Sequence, residues 1–149
     1  MNKNLIDLEK AKAFLCGHTI ALCKGDKILY SDKKGISPMI DFIGNNLDLT
    51  GYSVADLIVG KAVAMLFIKA GIKQVFAKTI SKSAIEILNK HNIPFSYNIA
   101  TDKIINRKGD DICPMEKAVI DINDIEQGYI AIKDTLQKLK ANQKQIDLK

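Results

Sequence analysis

A cysteine and a glutamate stand three residues apart in the segment Cys113-Pro-Met-Glu116. Proline is typical of the first turn of a helix, so Cys113 is predicted to be the N-cap, a position that stabilises a thiolate nucleophile. Glu116 is then a candidate general base, or it reaches back and caps the amide of Cys113. Because a small buried cap residue fits the same spacing, the catalytic and the structural interpretation of this pair both stand.

A second candidate is Lys61, which interrupts the almost wholly apolar segment 57–70. A lysine within a buried segment is costly unless its stem leads to water, it pairs with a carboxylate, or it meets an anionic ligand. Gly60 beside it lets a partner approach closely. We therefore predict that Gly60 and Lys61 line an anion site, with a salt bridge from Lys61 to Asp56 or Glu116 as the alternative.

Asp56 follows Ser53 with the spacing of a capping box. This spacing predicts a helix that begins at Ser53 and stops at Gly71. Asp56 is then the expected capping partner of Ser53, and the functional alternative makes it a second candidate for the general base.

Three further residues complete the predicted ligand-binding set. Ser81 has the residue type and position of a helix N-cap, where backbone amides favour anions. Asn106 and Arg107 precede the polar segment 108–111. An arginine in a loop before a helix can bind phosphate or carboxylate, whereas a solvated surface turn is the plainer interpretation.

The elements that must position these residues follow from hydrophobic spacing and turn signals. A strand, helix, strand succession from residue 73 to 97 needs a crossover connection, which favours parallel strands covered by helices on both faces. The predicted elements are a helix over 5–15, a hairpin of strands 19–23 and 27–30, a helix over 38–43, a helix over 53–70, a strand over 73–77, a helix from Ser81 or Ser83 to Asn92, a strand over 95–97, an irregular segment over 99–112, a short helix from Cys113, and a helix over 125–139.

Four segments carry a resemblance to a known family: Gly51-Tyr-Ser-Val-Ala-Asp56, Val59-Gly-Lys-Ala62, Ile105-Asn-Arg107 and Cys113-Pro-Met-Glu116. They resemble the signature segments of DUF1893, a prokaryotic family of unknown function, and the resemblance runs from about residue 5 to 139. The element order also resembles the cytidine-deaminase-like fold. This implies a three-layer α/β/α sandwich with a mixed central sheet of four to five strands and a site at the start of two helices.

The resemblance to deaminases does not extend to their zinc motif. In deaminases one His or Cys and two Cys hold zinc, and a Glu moves protons. The corresponding positions here carry Asp56, or Gly60 and Lys61, and the segment 79–83. His18, His91 and Cys113 lack a matched spacing, so we predict no metal and no other cofactor.

Composition limits the class of protein. The 149 residues fit a single domain, with a polar tail from about residue 140. The net charge of +5 is diffuse, Arg107 is the only arginine, and no aromatic residues alternate with the basic ones, so a nucleic-acid partner is not expected. A charged N-terminus and short apolar segments argue against a signal peptide or membrane span. Three cysteines without pairing motifs favour a reducing cytoplasm.

Three functional hypotheses remain open from the sequence. The first is a domain that binds a small anionic or nucleotide-like metabolite in a cleft at the helix N-termini. The second is a metal-independent enzyme that uses Cys113 with Glu116 or Asp56. The third is a homo-oligomer that associates through the apolar face of the last helix, formed by Ile125, Tyr129, Ile130, Ile132 and Leu136.

Overall fold

The computed structural model describes residues 3–106 and 108–148, which form five strands and six helices. In chain order these are α1 (Lys3–Phe14), β1 (Ile20–Lys24), β2 (Lys27–Ser31), α2 (Ser37–Gly44), β3 (Ser53–Val59), α3 (Lys61–Ala70), β4 (Gln74–Ser81), α4 (Lys82–Lys90), β5 (Phe95–Thr101), α5 (Pro114–Ala118) and α6 (Ile125–Leu148). Strands β4 and β5 extend further than their sequence signals predict, because they pair with each other along their whole length.

The five strands form one mixed sheet in the order β2-β1-β3-β4-β5. Strand β1 is antiparallel to both β2 and β3, whereas β3, β4 and β5 run parallel to one another. The predicted hairpin is confirmed: its two-residue turn contains Gly25 at φ +61°, a left-handed conformation that glycine adopts without strain. Helices α3 and α4 are the crossovers between the parallel strands, as the strand, helix, strand succession predicts.

Helices cover both faces of the sheet, so the predicted three-layer α/β/α arrangement is confirmed. On one face, Ala11 of α1 and Leu15, which directly follows this helix, pack on Cys23, Ala55 and Phe76. On the other face, α3 lies in the main core, with α2, α4 and α6 in contact with it. Seven consecutive residues of α3 are buried, so this helix is surrounded by protein on nearly all sides.

The predicted helix start at Ser53 is wrong. Residues Ser53–Val59 form β3, and the helix begins only at Lys61. Ser53 accepts a hydrogen bond from Nε2 of Gln74 at 2.8 Å instead of capping a helix, and Asp56 lies within the strand. The physical reason is that β3 pairs with strands on both sides, and this pairing outweighs the local capping pattern.

The last helix carries the apolar face considered for oligomerisation. Ile132 is fully buried, and Ile125, Tyr129 and Leu136 are partly buried and pack against the main core. Ile130 alone of the five is exposed. Within residues 3–106 and 108–148, no helix has both the length and the apolar character that crossing a bilayer requires.

Candidate functional site

A carboxylate occupies the N-terminus of α3. The side chain of Glu116, from α5, accepts hydrogen bonds from the backbone N–H groups of Lys61 and Ala62, each at 2.8 Å. These amides have no partner within the helix, and they lie at the positive end of its dipole. Glu116 therefore caps a helix that lies 55 residues earlier in the chain.

Gly60, the N-cap of α3, makes this contact possible. Its φ of −100° is available to any residue, so backbone strain does not require glycine here. Close approach does: a Cβ at Gly60 would lie 2.6 Å from Cδ of Glu116 and 2.9 Å from its Oε2. The sequence prediction that Gly60 admits a close partner is met by a side chain of the protein itself.

Burial raises the pKa of Glu116, while the two amide hydrogen bonds and the charge of Lys61 oppose that rise. The carboxyl group is thus held between two environments, an apolar interior that disfavours its charge and a helix terminus that favours it.

Lys61 is buried, with 8% of its surface exposed. Its Nζ donates to Oδ1 of Asn123 at 3.2 Å and to the backbone oxygen of Ile120 at 3.4 Å. None of the ion pairs in the described part of the chain includes Lys61. Burial lowers the pKa of Lys61, and the negative charges of Glu116 and Asp121 oppose this effect. The expected salt bridge to Asp56 or Glu116 is absent from these ion pairs.

Lys61 and Glu116 open onto a cleft of about 520 Å³ between α3, α4 and the segment that leads from β5 to α5. Its other polar and charged lining residues come from three regions, and its apolar lining is provided by isoleucines. The polar set is Ser83, Glu86, Lys90, Asp102, Lys103 and Asn123, and the apolar set is Ile87, Ile104, Ile112 and Ile120. Lysines and carboxylates both line the wall, so the cleft suits a small polar molecule with an apolar part.

The other predicted ligand-binding residues lie elsewhere. Ser81 is buried and caps α4 by accepting a hydrogen bond from the N–H of Ala84, so its predicted capping role is confirmed and its side chain does not line the cleft. Asn106 accepts hydrogen bonds from the N–H groups of Gly109 and Asp110, which closes a surface turn. Arg107 lies outside the described residues.

The predicted catalytic residues do not converge. Cys113 is the N-cap residue of α5, as expected, but its side chain makes no capping hydrogen bond and packs against the main core. The predicted cap of its amide by Glu116 is wrong, because that N–H donates to the backbone oxygen of Ile104 at 2.9 Å. Asp56 lies in β3 between Ile20 and Ala77 of the neighbouring strands and does not line the cleft.

Lys61, Gly60 and Glu116 are therefore the predicted residues that the structure brings together. No group of three or more His, Cys, Asp or Glu residues within the described chain is arranged to hold a metal ion. Sequence reasoning missed the α4 side of the cleft. A signal for it exists, because Ser83, Glu86, Ile87 and Lys90 recur at intervals of three and four and so share one helical face.

The fold and cleft together define the class: an α/β sandwich with a mixed sheet whose crossover helices point their N-termini toward a polar cleft. A model of the family described as domain of unknown function (DUF1893) matches residues 11–136, and the chain belongs to this family. The crystal structure of a DUF1893 family protein from Thermotoga maritima is similar over 93% of this chain and 92% of that chain, with 28% identity and a TM-score of 0.78.

A weaker structural similarity is to dCMP deaminase from the cyanophage S-TIM5 in its apo form, with 11% identity and a TM-score of 0.43 over 66% of this chain and 96% of that chain. The family part of the sequence resemblance is thus confirmed. No curated protein matches the chain.

Proposed function

We propose that the cleft binds a small anionic metabolite and that Lys61 contacts it. The observation that carries the proposal is the environment of the Lys61 amine. It is buried, it faces the cleft, and its hydrogen-bond partners among the described residues are two neutral oxygens. A buried amine without a carboxylate partner gains most from an opposite charge brought by a ligand.

The remaining lining supports the same class of ligand. Lys90 and Lys103 place two further cationic groups on the wall, and the four isoleucines provide a surface for an apolar or ring-shaped part. A volume of about 520 Å³ lies within the range of roughly 300–1,000 Å³ typical of small-molecule sites. Because Glu116 already occupies the amides of α3, the anion is expected to bind beside Lys61 and not at that helix terminus.

Thermal unfolding in the presence of inorganic phosphate, malonate and adenosine 5′-monophosphate tests the proposal. A ligand at about 100 times its Kd stabilises a protein by about 2.7 kcal/mol, which is readily detected. We expect Lys61→Met to weaken binding at least about tenfold, equal to about 1.4 kcal/mol. The matched control is Lys78→Met, an exposed lysine of β4 outside the cleft. Equal stabilisation of both variants by every binding anion would place the site elsewhere.

A further inference from the structure

The two hydrogen bonds of Lys61 can be made by its neutral amine as well as by an ammonium group. An ammonium group has three donors, whereas a neutral amine has two N–H donors and one lone pair. Two oxygens, Oδ1 of Asn123 and the backbone oxygen of Ile120, accept from this nitrogen. When the amine is neutral, its two N–H groups satisfy these acceptors, and its lone pair is the group that reacts with a molecule in the cleft.

We infer that Lys61 forms an imine with a ligand that carries an aldehyde or ketone next to an anionic group. The inference rests on the proposed function for the place and charge of the ligand, and it adds the chemical class. The carbonyl carbon of the ligand meets Nζ of Lys61, while its carboxylate or phosphate is held by Lys90 and Lys103 on the wall of the same cleft.

The covalent step balances without a co-reactant. The lone pair of Nζ forms a bond to the carbonyl carbon, and the π electrons of the C=O bond move to its oxygen, which takes up a proton. That first proton comes from the nitrogen. The C–O bond of the resulting carbinolamine then breaks, the nitrogen gives its one remaining proton to the departing oxygen, and water leaves. Amine and carbonyl compound give imine and water, with no net proton and no oxidant.

Two properties of the surroundings favour this step. The neutral amine is the nucleophile, and burial lowers the pKa of Lys61, which raises the neutral fraction at a given pH. No carboxylate among the described residues forms an ion pair with Lys61, so the charges of Glu116 and Asp121 favour its proton only from a longer distance.

Reductive trapping with glyoxylate and cyanoborohydride at pH 7 tests the inference on the intact chain. Each trapped imine leaves a carboxymethyl group on the lysine, and peptide mass mapping gives a rate for each site. We expect Lys61 to react at least about tenfold faster than the exposed Lys78, because the cleft holds the glyoxylate carboxylate beside the amine of Lys61 and because its lowered pKa enlarges the neutral fraction. If accessibility alone decided the rates, Lys78 would react faster than Lys61, because only 8% of Lys61 is exposed. A rate at Lys61 equal to or below that at Lys78 overturns the inference.

Asn123→Asp provides a second measurement that does not depend on deleting the lysine. The exposed Asn123 tolerates this isosteric change, and the new carboxylate lies where Oδ1 now accepts from Nζ at 3.2 Å. An ion pair there holds the proton on Lys61, so trapping at Lys61 should slow at least about tenfold while trapping at Lys78 stays constant. An unchanged rate at Lys61 contradicts the lone-pair argument.

Lys61→Arg separates failure of this inference from failure of the proposed function. Arginine keeps the positive charge but does not form the adduct, and glycolate resembles glyoxylate without its aldehyde. If glycolate stabilises the wild type and Lys61→Arg while glyoxylate leaves Lys61 unmodified, the cleft binds anions and the imine is wrong. If Lys61 is modified fast but neither glycolate nor any anion of the earlier panel stabilises the chain, the imine stands and the anion site does not.

Discussion

Glu116 and Gly60 depend on each other at the start of α3. The carboxylate satisfies two backbone amides that α3 cannot satisfy itself, and the missing side chain of Gly60 leaves the space in which it lies. A residue that the spacing presents as a catalytic base thus stabilises a helix terminus, next to the lysine on which the proposed chemistry depends. The stability of α3 and the geometry of the cleft are therefore coupled through one side chain.

Glu116→Ala is expected to lower the free energy of unfolding by about 2–4 kcal/mol, since hydrogen bonds to a charged group contribute about 1.5–3 kcal/mol each and their effects overlap. Urea denaturation measures the loss. Lys117→Ala is the matched control in the same short helix. Its ion pair with Asp111 is exposed, so its removal should cost less than about 1 kcal/mol. Similar losses in the two variants would mean that the cap contributes little.

Gly60→Ala should be strongly non-additive with Glu116→Ala. Alone, the added methyl group displaces the carboxylate and forfeits both of its hydrogen bonds. After Glu116 has become alanine, the three atoms nearest to this methyl group are gone, so its cost should fall. Urea denaturation of the two single variants and the double variant should give a coupling free energy of at least about 1 kcal/mol. Additive losses would show that Gly60 serves another purpose than admitting Glu116.

Asp56 makes stability depend on pH. Burial raises its pKa from 3.8 to about 8, against hydrogen bonds from the N–H groups of Ile58 and Leu57. The folded state therefore keeps a proton that the unfolded chain releases above about pH 4. This carboxyl group therefore lowers the free energy of unfolding progressively, by a few kcal/mol in all, as pH rises from about 4 to 8. Little further change is expected above pH 8.

Asp56→Asn should remove this dependence, because the amide keeps the shape of the protonated carboxyl and never ionises. Urea midpoints at pH 5, 7 and 8.5 measure it. The wild type should lose stability over this series, the variant should lose clearly less, and the two should differ most at pH 8.5. Asp134→Asn, at an exposed position of α6, should keep the slope of the wild type. A variant with the full wild-type slope would assign the pH dependence to other groups.

At the scale of elements, the sequence correctly predicts the features that depend only on neighbouring residues. The cap at Ser81, the turn at Gly25 and the end of α3 at Gly71 each depend on residues within one turn, and each is where the spacing places it. The start of α3 is not determined by neighbouring residues. Ser53 and Asp56 have the spacing of a capping box, but strands from two other parts of the chain pair with them.

The candidate site likewise contains residues that neighbouring sequence predicts and residues that it does not. Gly60 and Lys61 were predicted from their own neighbourhood, since a lysine in an apolar segment is conspicuous by itself. The role of Glu116 was not, because its two amide partners lie 54 and 55 residues away and no spacing rule connects them. The α4 wall of the cleft, including Lys90, follows from helical periodicity only once the position of that helix beside α3 is known.

Ser81→Ala should destabilise α4 by about 1 kcal/mol, because the buried N–H of Ala84 loses its only side-chain acceptor among the described residues. Chemical denaturation measures the loss. The matched control is Ser83→Ala, two residues further along in the first turn of the same helix. Ser83 contacts Ser81 but caps no backbone amide in the described structure, so its change should cost less. Equal losses would show that the hydroxyl pair, and not the cap, stabilises this helix.

At the scale of the whole molecule, the two faces of the sheet are protected very differently. The face toward α3 is covered by several helices that pack on one another, whereas the opposite face is covered by α1. Cys23, Ala55 and Phe76 lie beneath α1 and are almost fully buried there. Separation of α1 alone would expose this smaller cluster and leave the cleft side assembled, so the two faces are expected to open with different free energies.

The three cysteines report this difference directly. Cys16 is exposed just after α1, Cys23 is buried beneath α1, and Cys113 packs on the cleft side of the sheet. A thiol reagent should label Cys16 first and Cys23 only as α1 opens, the more slowly because burial also raises the pKa of the Cys23 thiol. Leu15→Ala removes a buried contact of α1 and should cost about 2–5 kcal/mol of its docking. If α1 opens by itself, labelling of Cys23 should accelerate at least about tenfold while the rate at Cys113 stays constant. A parallel rise at both sites would mean that the sheet loses its two helical layers in one cooperative step, and α1 would then belong to the same folding unit as the cleft.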